Sequence, residues 1–173
     1  MAAEYLVFAT SLRPGSHSRL LAEQLVRDYE KLGAVAEMLC LRENPLPICD
    51  GDAAYDDLRV APITEKIRAA RVVVIATPIY NYDANAAAKN LVELTGGAWE
   101  DKIVGFLCAA GGPLSYMSVI GLANSLMLDF RCVILPRFVY ATDEHFGPDG
   151  ITDTGIVARI RDLAAAAMRL RNE

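Results

Sequence analysis

Between an apolar run ending at Ala9 and a helical pattern around Leu21 stands Thr10-Ser11-Leu12-Arg13-Pro14-Gly15-Ser16-His17-Ser18. Three serines, an arginine, a proline and a glycine thus lead into a helix. The first-turn N–H groups of a helix lack intrahelical acceptors, and its dipole favours negative charge, so this segment can hold an anion. The hydroxyls of Ser11, Ser16 and Ser18 can donate to phosphate oxygens, and Arg13 can add a charge-assisted pair. Read alone, the same residues would serve equally as a capped turn. The spacing is not G-x-G-x-x-G and the loop does not end in G-K-[ST], which excludes a dinucleotide fingerprint and a P-loop.

Two further segments carry residues that suit a flat ligand. Thr77-Pro78-Ile79-Tyr80-Asn81-Tyr82-Asp83 offers aromatic rings for stacking and backbone groups around Asn81 for a polar edge. Ala109-Ala110-Gly111-Gly112-Pro113-Leu114-Ser115-Tyr116 offers paired glycines, which admit a close backbone approach or a positive φ. By itself the first reads better as a tyrosine packed under a loop, and the second reads equally well as a tight strand-to-helix turn. No G-x-S-x-G elbow is present. His17 and His145 have no evident acidic partner in the sequence. His17 reads as a phosphate neighbour or an exposed residue, His145 as a surface residue, and neither as a catalyst or a metal ligand. Cys40, Cys49, Cys108 and Cys132 form no C-x-x-C pair and have no ligand-like spacing to the histidines, so they read as reduced thiols, with Cys108 packed.

The elements that must position these loops follow from periodicity. Apolar runs at 5–9, 35–41, 72–76, 103–109 and 132–135, the last extending toward Tyr140, are hydrophobic at nearly every position. Strands covered on both faces, as in a parallel sheet, read this way. Helical spacing recurs between them. Leu21, Leu25, Tyr29 and Leu32 are followed by Gly33 as a C′ residue, and Ile63 and Ile67 follow an entry at Pro62. Residues 86–94 are capped by Asn85, residues 119–127 form a fourth helix, and Ile156, Ile160, Leu163, Ala167 and Leu170 form a last one behind Thr152 or Asp153. The alternation predicts right-handed crossovers and a three-layer α/β/α sandwich over residues 1–173 as one domain. Residues 42–61, rich in proline and aspartate, read as a long surface loop.

Composition narrows the function classes. With 53% hydrophobic residues the chain is not disordered, and its net charge of −5 argues against a nucleic-acid partner. No apolar window is long enough to span a membrane, and Met1-Ala2-Ala3-Glu4 does not resemble the start of a secretory leader. The expectation is a cytoplasmic protein. Because the whole chain is acidic, any attraction for a phosphate has to be local, from Arg13, three serines and a helix end.

In a parallel sheet of order 2-1-3-4-5, the loops after strands one, three and four meet at the switch point, where a mononucleotide with a flat ring would lie. Here the sequence resembles the NADPH-dependent FMN reductase family of the flavodoxin-like superfamily. The resemblance rests on Ser11-x-Arg13-x-x-Ser16, on Pro78-x-Tyr80-Asn81 with Lys89-Asn90, and on Gly111-Gly112. Weaker echoes are Leu46-Pro47 with Asp50, and Phe146, Asp149-Gly150 and Asp153. The resemblance implies noncovalent FMN. Ser11, Arg13, Ser16 and Ser18 would hold the phosphate, Pro78, Ile79, Tyr80 and Asn81 would contact the isoalloxazine, and Gly111, Gly112 and Ser115 would border it. This chain has Ser18 where the family often has Asn, and Ile79 where it often has Glu. Tyr82-Asp83-Ala84-Asn85-Ala86 replaces Gly-Ser-Ile-Pro-Gly, and Leu114-Ser115-Tyr116 replaces a second glycine cluster.

The resemblance further implies hydride transfer from NADPH or NADH to the flavin, then ping-pong delivery of electrons to a small acceptor. Free flavin, a quinone, an azo or nitro compound and a metal oxyanion all qualify. Flavin carries this chemistry itself, so no protein acid, base or nucleophile is required. A homodimer or dimer-based tetramer is implied, with a seam near Tyr82 to Asn85 or near Tyr116. The competing reading is an FMN-binding electron carrier without its own NAD(P)H oxidation; the modest acidity and Arg13 tilt against it. A receiver domain fails because Ala9-Thr10-Ser11 lacks the acidic cluster of a Mg²⁺ site.

Overall fold

In the computed structural model, residues 3–170 are described. The Met1-Ala2 start, on which the reading of the leader rests in part, lies outside them. Strands β1 (Tyr5–Ala9), β2 (Ala36–Cys40), β3 (Val72–Tyr80) and β5 (Ile103–Ala110) run parallel. A last, broken position holds β6 (Val133–Ile134) and β7 (Val139–Thr142), both paired to β5, so the order is β2-β1-β3-β5-β6/β7. A two-residue strand, β4 (Asp83–Ala84), folds back on β3, and a small hairpin of β8 (Phe146–Gly147) and β9 (Gly150–Ile151) precedes the last helix. Neither was legible in the periodicity, because two-residue strands carry none.

Side chains alternate across the strands. Leu6, Phe8, Val73, Ile75, Val104 and Phe106 pack with α2 (Val60–Ala69), α3 (Ala86–Thr95) and α4 (Ile120–Phe130). Tyr5, Val7, Val72, Val74, Ile103 and Leu107 pack with α1 (His17–Lys31) and α5 (Thr154–Arg169). This is the expected three-layer sandwich. The caps agree as well. Gly33 takes φ +79, with Gly33 N–H donating to Glu30 and Ala34 N–H to Tyr29, a Schellman end for α1. Asp153 caps α5 by accepting from Ile156 N–H at 2.8 Å.

Two strands depart from the sequence reading. β3 does not end at Ala76 but runs to Tyr80, so Thr77-Pro78-Ile79-Tyr80 is strand. Pro78 concealed this. It is tolerated because β1 ends beside Ala76 and β4 pairs only from Ile79 on, leaving Thr77 and Pro78 with β5 as their one neighbouring strand. The fifth strand is interrupted where Pro136 cannot donate and Arg137 adopts φ +59.

Candidate functional site

The carboxyl ends of β1, β3, β5 and β7 enclose a cleft of about 330 Å³, lined among others by Arg13, Gly15, His17, Ile79, Gly111 and Asp143. Its walls are the three segments singled out in the sequence plus the turn after β7.

Below the first wall, Thr10 continues β1 with its N–H on Ala76 O at 2.9 Å. Ser16 caps α1 and accepts from Arg19 N–H at 3.4 Å, while Ser11 Oγ accepts from Arg13 N–H at 3.2 Å. Ser18 is fully buried, 3.4 Å from the Ser16 hydroxyl. Gly15 stands at φ +63 with open space where a Cβ would point. Any side chain there would be strained and would occupy the approach to the helix end. From this loop Arg13, Gly15 and His17 line the cleft, while Ser11, Ser16 and Ser18 are buried behind it.

The second wall is strand followed by a hairpin. The ladder Ile79↔Ala84, Tyr80↔Asp83 leaves Asn81 and Tyr82 as a two-residue turn, with φ +50 and +67. That is the left-handed geometry of a type I′ turn, which suits Asn at the first position and strains Tyr at the second. Pro78, Ile79 and Tyr80 line the cleft, Asn81 and Tyr82 lie outside its lining, and Tyr80 and Tyr82 are about half exposed.

The hairpin leads into Asn85, and a polar network the sequence did not reveal beyond a cap. Asn85 is buried; its Oδ1 accepts from Thr10 Oγ1 at 2.8 Å, Thr77 Oγ1 at 3.0 Å and Ala88 N–H at 3.3 Å. Its Nδ2 donates to Thr10 O at 2.9 Å. One side chain thus ties together the ends of β1 and β3. Of the segment that the resemblance places near a subunit seam, Asn85 is buried within its own chain and Tyr82 is about half exposed. Asn90 has a comparable role. It accepts from Cys49 N–H and donates to Pro47 O, both at 2.8 Å, pinning the long loop after β2.

On the third wall, neither Gly111 nor Gly112 uses a positive φ. Their value is space. No atom lies within 4 Å of a Cβ built on Gly112, and Gly111 would meet only Asp143 Oδ2, at 3.9 Å. Gly112 O accepts from Tyr140 OH at 2.6 Å. Ser115 ends a 3-10 turn, half-buried beyond the cleft lining. Cys108 points into the core, where burial pushes its thiol far above the ordinary range, as a packed residue should.

The histidines need correction. His17 does have an acidic partner, with Nδ1 3.2 Å from Asp143 Oδ1, supplied by a turn far along the chain. His145 is half-buried and accepts from Thr142 N–H at 2.8 Å, a local cap.

Residues 4–146 match the NADPH-dependent FMN reductase family, and the chain belongs to it. It is 26% identical over 156 residues to an NAD(P)H-dependent FAD/FMN reductase of Geobacillus thermodenitrificans (strain NG80-2), covering 87% of this chain and 84% of that protein. In fold it is similar to FerB, a flavoenzyme NAD(P)H:(acceptor) oxidoreductase from Paracoccus denitrificans. The TM-score is 0.77 at 20% identity, covering 95% of this chain and 94% of that one. An azoreductase from Bacillus anthracis str. Sterne superposes with a TM-score of 0.71 at 18% identity, covering 96% and 99%. The chain is an oxidoreductase of flavodoxin-like fold, in a family whose cofactor is FMN and whose co-substrate is NAD(P)H. Among the described residues no helix is long and apolar enough to cross a membrane.

Proposed function

We propose that the chain is an NAD(P)H-dependent flavin reductase of one domain that holds FMN in the cleft at the ends of β1, β3 and β5. Ser11, Arg13, Ser16 and Ser18 hold the phosphate. Pro78, Ile79, Tyr80 and Asn81 meet the isoalloxazine, and Gly111, Gly112 and Ser115 border it. The observation that carries the reading is the make-up of one cleft, in which Arg13 and the start of α1 share the lining with Pro78, Ile79 and Tyr80. A phosphate-bearing flat ring needs that combination.

When bound, the flavin supplies two-electron transfer between a nicotinamide and an acceptor. The protein's part is positional. Arg13 and α1 fix the phosphate, backbone groups of the Asn81 turn and the glycine loop address the polar edge of the ring, and the glycines keep one face open. NAD(P)H and the acceptor take turns over that face, because the described residues form one seven-stranded sheet with flanking helices and a two-stranded hairpin, with no second nucleotide fold among them. The half-exposed rings of Tyr80 and Tyr82 suit flat acceptors such as quinones, azo or nitro compounds and free flavin. We assign the seam of a homodimer or dimer-based tetramer to the segment from Tyr82 to Asn85 or to the neighbourhood of Tyr116, where Tyr82, Leu114, Tyr116 and Met117 are exposed. Four unpaired thiols suit a cytoplasmic setting.

Anaerobic mixing of the FMN-loaded protein with NADPH tests this reading. Rapid loss of the visible flavin band, restored by a quinone, with parallel double-reciprocal kinetics, is expected. A loaded protein that NADPH does not bleach refutes the reductase reading and leaves an electron carrier.

A further inference from the structure

His17 stands at the first position of α1 and lines the same cleft as Arg13 and Gly15. Its ring lies flat on Phe146, with centroids 4.0 Å apart and planes 6° from parallel. Its Nδ1 faces Asp143 Oδ1 at 3.2 Å, and Asp143 lines the cleft as well. Two residues from the end of the sheet, one beyond β7 and one on β8, therefore fix the ring's plane and its rotation. Packing alone would need only the stack on Phe146. The carboxylate on Nδ1 adds orientation, and it leaves Nε2 without a hydrogen-bond partner among the described residues. As an imidazolium the ring donates from both nitrogens. Nδ1 is engaged by Asp143, and Nε2 is the remaining polar atom of a ring that lines the cleft together with Arg13 and Gly15.

We propose that His17 is a phosphate ligand of the cleft, held for that purpose by Asp143 and Phe146. The proposal rests on the flavin reading above and deepens it. It gives the phosphate a second side-chain contact besides Arg13, and it makes the chain's preference for FMN over riboflavin depend on His17. It also explains why the turn after β7 closes onto the first loop. Asp143 is two-thirds exposed, so water screens its charge from the phosphate, while its contact with Nδ1 remains short.

The test compares two ligands that differ only in the phosphate. FMN and riboflavin are titrated into flavin-free wild-type protein, His17→Phe and His17→Gln, with binding read from fluorescence quenching. His17→Phe keeps a flat ring on Phe146 but has no nitrogen; His17→Gln restores a donor. The dissociation constant for FMN should rise roughly 10- to 100-fold in His17→Phe, the range for losing a charged hydrogen bond, and riboflavin should change less than about threefold. His17→Gln should recover part of the loss. An equal loss for both flavins, or none for either, overturns the proposal and makes His17 a packing residue. If His17→Phe does not fold, His17→Ala supplies the selective loss of FMN binding, and His17→Gln the partial recovery. Wild-type protein that binds neither flavin refutes the cleft assignment itself, whereas FMN-selective wild type with unchanged variants refutes only the role of His17.

Discussion

Replacing Asn85 by alanine should loosen the site and the fold together, and the hydrogen bonds give the size of the effect. The substitution removes the cap of α3, which costs about 1 kcal/mol. It also removes the Nδ2 donor to Thr10 O inside a buried network. An orphaned buried carbonyl costs about 1–3 kcal/mol. The two threonine hydroxyls lose less, because Thr10 Oγ1 still reaches Ala76 O at 3.2 Å and Thr77 Oγ1 still reaches Pro78 O at 3.1 Å. The expected destabilisation is therefore about 2–4 kcal/mol. With a urea m-value of about 2 kcal/mol/M, the unfolding midpoint falls by about 1–2 M. FMN affinity should fall in parallel, because Asn85 joins the strand ends from which the phosphate cradle and the Asn81 turn depart. Asn85→Asp separates the contributions. It keeps the cap acceptor but sets a carboxylate against Thr10 O, so it should destabilise at least as much as alanine. A midpoint within about 0.3 M of wild type for Asn85→Ala, or an Asn85→Asp protein as stable as wild type, would refute the reasoning.

Arg13→Ala should weaken FMN binding by about 1.5–3 kcal/mol and leave riboflavin nearly unaffected, as paired calorimetric titrations would reveal. Tyr82→Gly relieves the φ +67 strain of the turn; it should raise thermal stability by about 1 kcal/mol while raising KM for a flat acceptor, checked by calorimetry and steady-state kinetics. Burial holds the Cys132 thiol up to about 11 and raises Cys108 further, above about 8.5 for an unfolded thiol. The unfolded chain therefore loses these protons first as pH rises. Stability present below about pH 8.5 should decline toward pH 11, and the decline between pH 8 and pH 10 in urea melts should be shallower in Cys132→Ala.

Most of the architecture was legible because buried parallel strands leave continuous apolar runs and amphipathic helices leave 3.6-residue spacing. The Ser-Arg-Ser segment and the Asn85 and Asp153 caps were legible because they act through neighbours in the chain. What escaped were features made by residues far apart. The extension of β3 was hidden by Pro78, whose tolerance depends on where β1 stops. Asn85 read as a cap, but its bonds to Thr10 and Thr77 exist only once β1 and β3 are adjacent. His17 showed no partner because Asp143 arrives from the far edge of the sheet. The Asn81-Tyr82 turn escaped because Tyr is a poor marker of positive φ, where glycine would have been a clear one.

The most direct test of the central claim is FMN uptake by the purified chain, followed by calorimetry together with the visible spectrum. The account predicts one FMN per chain, with a spectrum shifted by the protein environment and affinity reduced in Arg13→Ala. Failure to take up FMN, or uptake indifferent to Arg13, would contradict the placement of the flavin phosphate at the N-terminus of α1.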